Sequence, residues 1–110
     1  MICYWTAWNI DHIGKHGVDQ EEAADVAAFP RSPYPTRIPD DKRQVRGQTR
    51  DGRYLQVIYS YPRDEDIEVE RLSPAERIRW MNGEDVLVFV IHARDLTNRE
   101  KQSLRRNRRQ

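Results

Sequence analysis

The chain has 110 residues, 34% of them charged and 37% hydrophobic, with a net charge of +1. That length sets a single domain, 1–110, and so much charge leaves apolar material for a thin two-layer fold, not a deep core. A near-zero balance excludes a protein that attracts nucleic acid through its overall charge, and one cysteine, Cys3, excludes an internal disulfide or a cysteine-clustered zinc site.

In chain order, "ICYWTAW" (2–8) is β-branched and aromatic and predicts a strand. Asn9 is placed to cap a short helix whose left-handed end falls on Gly17. Asp19 with Glu22 is an N-cap pattern that opens a helix to about Phe29, where Pro30 stops it. Ala23, Val26 and Ala27 give that helix a buried face of small residues. The proline-rich "PRSPYPTRIPDD" reads as an extended connector. "KRQVRGQTRDGRYLQVIYSY" reads as a strand, an Asp51-Gly52 turn and a strand. Leu55, Val57 and Tyr59 face one side of it; Tyr54, Gln56, Ile58 and Ser60 face an incompletely covered other side.

Ser73-Pro74-Ala75-Glu76 is a capping box for a helix to about Met81, stopped by Gly83. Val86 to Ala93 is the most apolar strand and is expected at the centre of the sheet. Thr97 with Glu100 caps a terminal helix whose apolar anchors are Leu96 and Leu104. Helices followed by strands argue for an α+β fold: a small antiparallel sheet with N-terminal helices, a C-terminal helix and an inserted helical segment near 62–85. No stretch approaches the about 20 apolar residues of a membrane span, and the start of the chain lacks the pattern of a signal peptide. A cytoplasmic protein with no membrane association is expected.

Charge is segregated along the chain. Arg99 to Arg109 holds six Lys/Arg and one Glu, whereas Arg63 to Asp85 holds eight Asp/Glu and four Arg. The basic helix and tail, 97–110, are either a solvated end or a surface for phosphates through Arg105, Arg106 and Arg108. Lys15 and His16 sit at a helix C-terminus, where the dipole alone accounts for cations. Arg43, Arg46, Arg50 and Arg53 lie on or beside the hairpin, where exposed arginines also blunt sheet edges. His92 and Arg94 share parity with Val86, Val88 and Val90, which would continue one face of a regular strand. His92 is then either a satisfied core histidine or a reactive group. Asp95 is placed to pair with Arg94 or to cap the helix, and Glu100 already serves a capping box.

The chain has no phosphate loop, dinucleotide fingerprint, His-Glu-x-x-His or serine elbow. Three histidines without ligand spacing make no metal or cofactor site. Arginine and histidine around an antiparallel sheet suit metal-independent chemistry at phosphate. Arginine holds phosphate oxygens and developing charge, and histidine exchanges protons near neutral pH.

Three blocks together resemble the BrnT-like toxins. They are "WNIDHIGKHGVDQEEAADV", "GQTRDGRYLQVIYS" and "VIHARDLTNREKQSLRR". The resemblance implies a RelE-like fold and a bacterial type II toxin–antitoxin system. The toxin would be an RNA endonuclease that halts growth. A cognate antitoxin, typically of ribbon-helix-helix type, would be encoded beside it and form a higher-order complex. By position it implies His16, Arg43, Arg53, Arg94 and Glu100 as site residues, with His92 replacing a small hydroxyl residue of the family pattern. Lys15 and Arg53 would join the basic helix in contacting RNA. Segment 62–85 replaces what is commonly a short connection. The competing readings are a catalytically inactive toxin-fold module that binds an antitoxin or regulatory partner, and a bare nucleic-acid-binding domain using the terminal helix.

Overall fold

Local capping signals place the helices of the computed structural model, which describes residues 1–108. Helix α1 (Ala7–Gly14) opens at a box in which the Thr6 amide donates to Asn9 Oδ1 at 2.7 Å. Asn9 is therefore the third helical residue and not the cap, and the expected strand over 2–8 shrinks to β1 (Ile2–Cys3). Buried Asn9 also donates through Nδ2 to Tyr4 O at 3.0 Å, so the helix start and the strand end are tied by one side chain. Gly17, at φ +69°, ends the α1 turn, and the Val18 amide folds back onto Ile13 O at 3.2 Å.

Helix α2 (Gln20–Ala28) starts at the reciprocal Asp19–Glu22 box and ends before Pro30, as its sequence predicts. The proline-rich connector is only partly irregular. It contains β2 (Thr36–Ile38), which turns through Asp40 and Asp41 at φ 67° and 57° and pairs with β3 (Lys42–Gln48). The Asp51-Gly52 turn, with Gly52 at φ +91°, leads into β4 (Tyr54–Ser60). Segment 62–85 holds two single 3₁₀ turns and α3 (Pro74–Met81), capped by Ser73 and Glu76 and closed by Gly83 at φ +72°. Then come β5 (Leu87–Asp95) and α4 (Asn98–Arg108), the latter opened by the Thr97–Glu100 box.

The strands form one five-stranded sheet in the order β1-β5-β4-β3-β2. It is mixed and not purely antiparallel as expected, because β1 runs parallel to β5. The middle strand is β4; the apolar β5 lies beside it, paired on both sides. One face of the sheet is dry. Ile13, Val18, Ala23, Val26 and Ala27, from α1, α2 and the turn between them, pack on Val45, Leu55, Val57, Tyr59, Val88, Val90 and Ala93. A second cluster joins Ile2, Tyr4 and Leu87 to Leu72, with Ile67, Trp80 and Phe89 against it. Segment 62–85 is thus packed onto the β1 end of the sheet. Among the described residues, no ion pair joins it to α4.

One irregularity decides where the chemistry falls. Ile58 pairs with His92, but Tyr59 pairs with Val90, so Ile91 is an extra residue in β5. This β-bulge reverses the alternation beyond it. Ala93 joins Val88 and Val90 in the dry core, while His92 and Arg94 turn to the opposite face, contrary to the parity of a regular strand.

Candidate functional site

The bulge delivers two functional groups to the polar face of the sheet, and neighbouring strands add to them. Across β3, β4 and β5, Arg46 pairs with Gln56 and Gln56 with Arg94, so the three side chains form one row. Gln56 is buried, and its Oε1 accepts from Arg46 Nε at 3.0 Å and Arg94 Nη2 at 3.3 Å. Glu100, on the first turn of α4, completes the group. It takes a bidentate grip from Arg94 at 2.8 and 2.9 Å and a contact from Arg46 at 2.9 Å. The Thr97 amide adds a fourth contact at 2.8 Å. The Arg94 hydrogen bonds, helped by the Thr97 amide, hold the Glu100 carboxyl at a pKa of about 2. Two guanidiniums against one carboxylate leave net positive charge, and the arginine side chains are 26% and 31% exposed. Such a pair can take the oxygens of an incoming phosphate.

The second half of the site is aromatic. His92 lies 4.9 Å from His16 and 6.3 Å from His12 between ring centroids. Trp8, His12 and His16 recur at four-residue spacing along and just beyond α1, which brings them to one side. Trp8 stacks on His12 at 4.7 Å and 9°, and on Phe89 of β5 at 5.8 Å. Helix α1 therefore presents Ile13 to the dry core and a row of rings to the rim of the polar face. His92 Nδ1 is buried without a hydrogen-bond partner. Burial, with the neighbouring His16, Arg94 and His12 charges, pushes the His92 pKa below its ordinary value. An imidazole biased toward its neutral form, set beside His16 and Arg94, has the components for proton transfer at a bound phosphate.

The sequence-predicted residues divide accordingly. His16, His92, Arg94 and Glu100 come together. Arg43 does not: it pairs with Tyr59, on the dry face, and its guanidinium lies over the Tyr61 ring at 5.4 Å and on Asp41 at 3.2 Å. Arg53 is committed to structure. It grips Asp95 at 2.8 and 3.0 Å, Glu22 at 3.0 Å and Gly17 O at 2.8 Å, bolting β5 to the α1–α2 turn. The Asp95 carboxylate thus pairs with Arg53 and does not cap the helix, while Arg94 Nη1 donates only to the Asp95 backbone oxygen at 3.0 Å; the Arg53 hydrogen bond lowers the Asp95 pKa. Lys15 is exposed and 4.0 Å from Asp11. Arg105 lies over the Tyr54 ring at 5.2 Å, close to the row, and Arg106 is exposed. Arg108 closes α4 with its side chain outside those described, and residues 109–110 of the tail lie outside the described residues.

The sequence did not single out Trp8, His12 or Phe89, and it placed Arg46 only as an exposed hairpin arginine and Gln56 only on the less covered face. The 8-12-16 spacing was visible, but reading 2–8 as a strand hid it. Arg46 and Gln56 needed the strand register. Cys3 stays a core residue, its thiol pushed up to about 11 mainly by burial.

Among the described residues, no cluster of three His, Cys, Asp or Glu side chains is placed to hold a metal ion, and no helix is long and apolar enough to cross a membrane. A cavity of about 480 Å³ lined by Glu21, Asp25, Arg50 and Asp51 lies at α2 and the hairpin turn, away from the imidazoles, and its one cation, Arg50, already pairs with Asp25 at 3.1 Å. Comparison with protein-family models, with curated proteins and with solved structures found no match.

Proposed function

We propose that this protein is a metal-independent RNA endonuclease, the toxin of a type II toxin–antitoxin pair, acting through the polar face of its sheet. The observation that carries the reading is the convergence of His92 and His16 beside Arg94, which shares Gln56 and Glu100 with Arg46, on a face where rings stand ready to stack unpaired bases. Neutral His92 takes the proton of a ribose 2′-hydroxyl as that oxygen attacks the adjacent phosphorus. The 5′-oxygen leaves with a proton donated by His16, and the product ends in a 2′,3′-cyclic phosphate. Arg94 and Arg46 stabilise the charge on the pentacoordinate phosphorus. Arg46 takes the part that the family resemblance gives to Arg43, and Arg53 serves the fold. The RelE-like and BrnT-like assignment of the α+β fold belongs to the same proposal, as does a ribbon-helix-helix antitoxin as partner.

One observation favours a second reading. Glu100 holds both arginines in the unliganded chain, as a carboxylate would in a module that keeps the toxin fold but has lost cleavage. Expression with and without the adjacent open reading frame separates the two. Growth arrest relieved by the neighbouring product supports the toxin. No arrest, with a stable complex, supports the inactive module.

A further inference from the structure

Beside the imidazole row, segment 62–85 and the sheet enclose a cavity of about 330 Å³. Its walls are the Tyr4 and Phe89 rings, whose centroids are 6.4 Å apart at 46°. Thr6, Ser60, Pro62, Asp66 and Glu68 complete the lining, and the two acidic side chains lie at its exposed side. The volume lies in the range of small-ligand sites. Two features connect it to the proposed reaction centre. Trp8 stacks on Phe89 and on His12, making a continuous line of rings toward His92. Phe89 and His92 also stand on the same face of β5, three residues or roughly 10 Å of strand apart. An RNA strand running along β5 from a phosphate at His92 would bring a neighbouring base to this cavity.

The lining chemistry selects among bases. Aromatic walls accept any base by stacking. Ionised carboxylates are acceptors only. Guanine presents two adjacent donors, N1–H and the N2 amino group, that match the two oxygens of one carboxylate. Adenine and cytosine put a ring-nitrogen lone pair beside their single amino group, and uracil flanks N3–H with two carbonyl oxygens; each would meet a carboxylate with repulsion. The hydroxyl of Ser60 can donate to guanine O6. Glu68 is positioned by its own backbone, whose amide donates to the Tyr4 hydroxyl at 2.9 Å. The carboxylates' present partners are exposed arginines, Arg63 on Asp66 at 3.2 Å and Arg71 on Glu68 at 3.5 Å, and such surface pairs exchange at little cost.

We infer that this cavity is a guanine-binding subsite, and that segment 62–85 gives the enzyme its base preference. The inference deepens the ribonuclease reading and rests on it for the identity of the ligand. Its test uses neutral nucleosides, which engage the cavity without needing the arginines. Guanosine, adenosine, cytidine and uridine are titrated into the whole protein, into Asp66→Asn/Glu68→Gln and into Arg94→Ala, with binding followed by tryptophan fluorescence and by NMR. Guanosine should bind the unmodified chain and Arg94→Ala alike, on the order of tenfold more tightly than the others, as charged hydrogen bonds allow. The preference should vanish in the double carboxamide variant, whose two exchanged side chains are 56% and 67% exposed and tolerate the change. Equal affinity for all four nucleosides, or a guanosine preference that survives the double change, overturns the subsite. Guanosine selectivity without RNA cleavage would retain the subsite and defeat the ribonuclease; cleavage without guanosine selectivity would do the reverse.

Discussion

The two faces of this sheet use the same strands for opposite purposes. Under α1 and α2, Val45, Leu55, Val57, Tyr59, Val88, Val90 and Ala93 are essentially sealed from water. On the other face the alternate residues are Arg46, Gln56, Ile58, His92 and Arg94, roofed only in part by α4 and segment 62–85. The dry face supplies the hydrophobic stabilisation that a short, highly charged chain can gather. It thereby allows the polar face to hold groups chosen for chemistry. The bulge at Ile91 joins the two regimes. Were β5 to run regularly through Ile91 with no bulge, His92 and Arg94 would point into the core and Ala93 out of it.

Substitutions on opposite faces sharpen that contrast. His92→Gln should slow RNA cleavage by about 10²–10⁴-fold, the usual value of a general acid or base, in a gel-based assay. Arg43→Ala, across the sheet, should leave the cleavage rate unchanged; a comparable loss there would break the division of faces. Arg53→Ala comes next, and its effect should be on stability alone. Loss of its charged hydrogen bonds to Asp95 and Glu22 should cost about 2 kcal/mol in urea unfolding, with cleavage retained by the folded fraction.

The smallest effect is on pH. The His92 pKa lies below its unfolded value, so in the window between the two the unfolded chain binds the extra proton. Stability should therefore fall as the pH drops below about 6.5, and His92→Gln should flatten that limb of a melting-temperature profile. Glu100 acts lower, in a separate window. Its pKa is depressed from 4.5 to about 2, so its contribution is complete above 4.5 and is lost as the pH falls from there toward 2.

Much of the architecture was legible because short-range signals carried it. The Asp19–Glu22, Ser73–Glu76 and Thr97–Glu100 boxes and the Asp51-Gly52 turn each involve residues that recognise one another locally, and each formed where expected. Thr6–Asn9 is the same device, but it was obscured by the strand propensity of the aromatic residues around it. The site was less legible. A bulge leaves no mark in periodicity, so the faces of His92 and Arg94 were inverted. The Arg46–Gln56–Arg94 row depends on register between three strands, and the Arg53–Asp95 pair spans 42 residues. Long-range pairing of this kind is fixed by packing of the whole sheet, which no local pattern encodes.

The most direct test is cleavage of single-stranded RNA by the purified protein in a chelator, with the product ends identified and Arg94→Ala run beside it. Fragments ending in 2′,3′-cyclic phosphate, lost by about 10²–10³-fold in the folded Arg94→Ala protein, are the predicted result. An unmodified chain that leaves RNA intact, or a folded Arg94→Ala protein that cleaves at the full rate, would contradict a ribonuclease built on the polar face of this sheet.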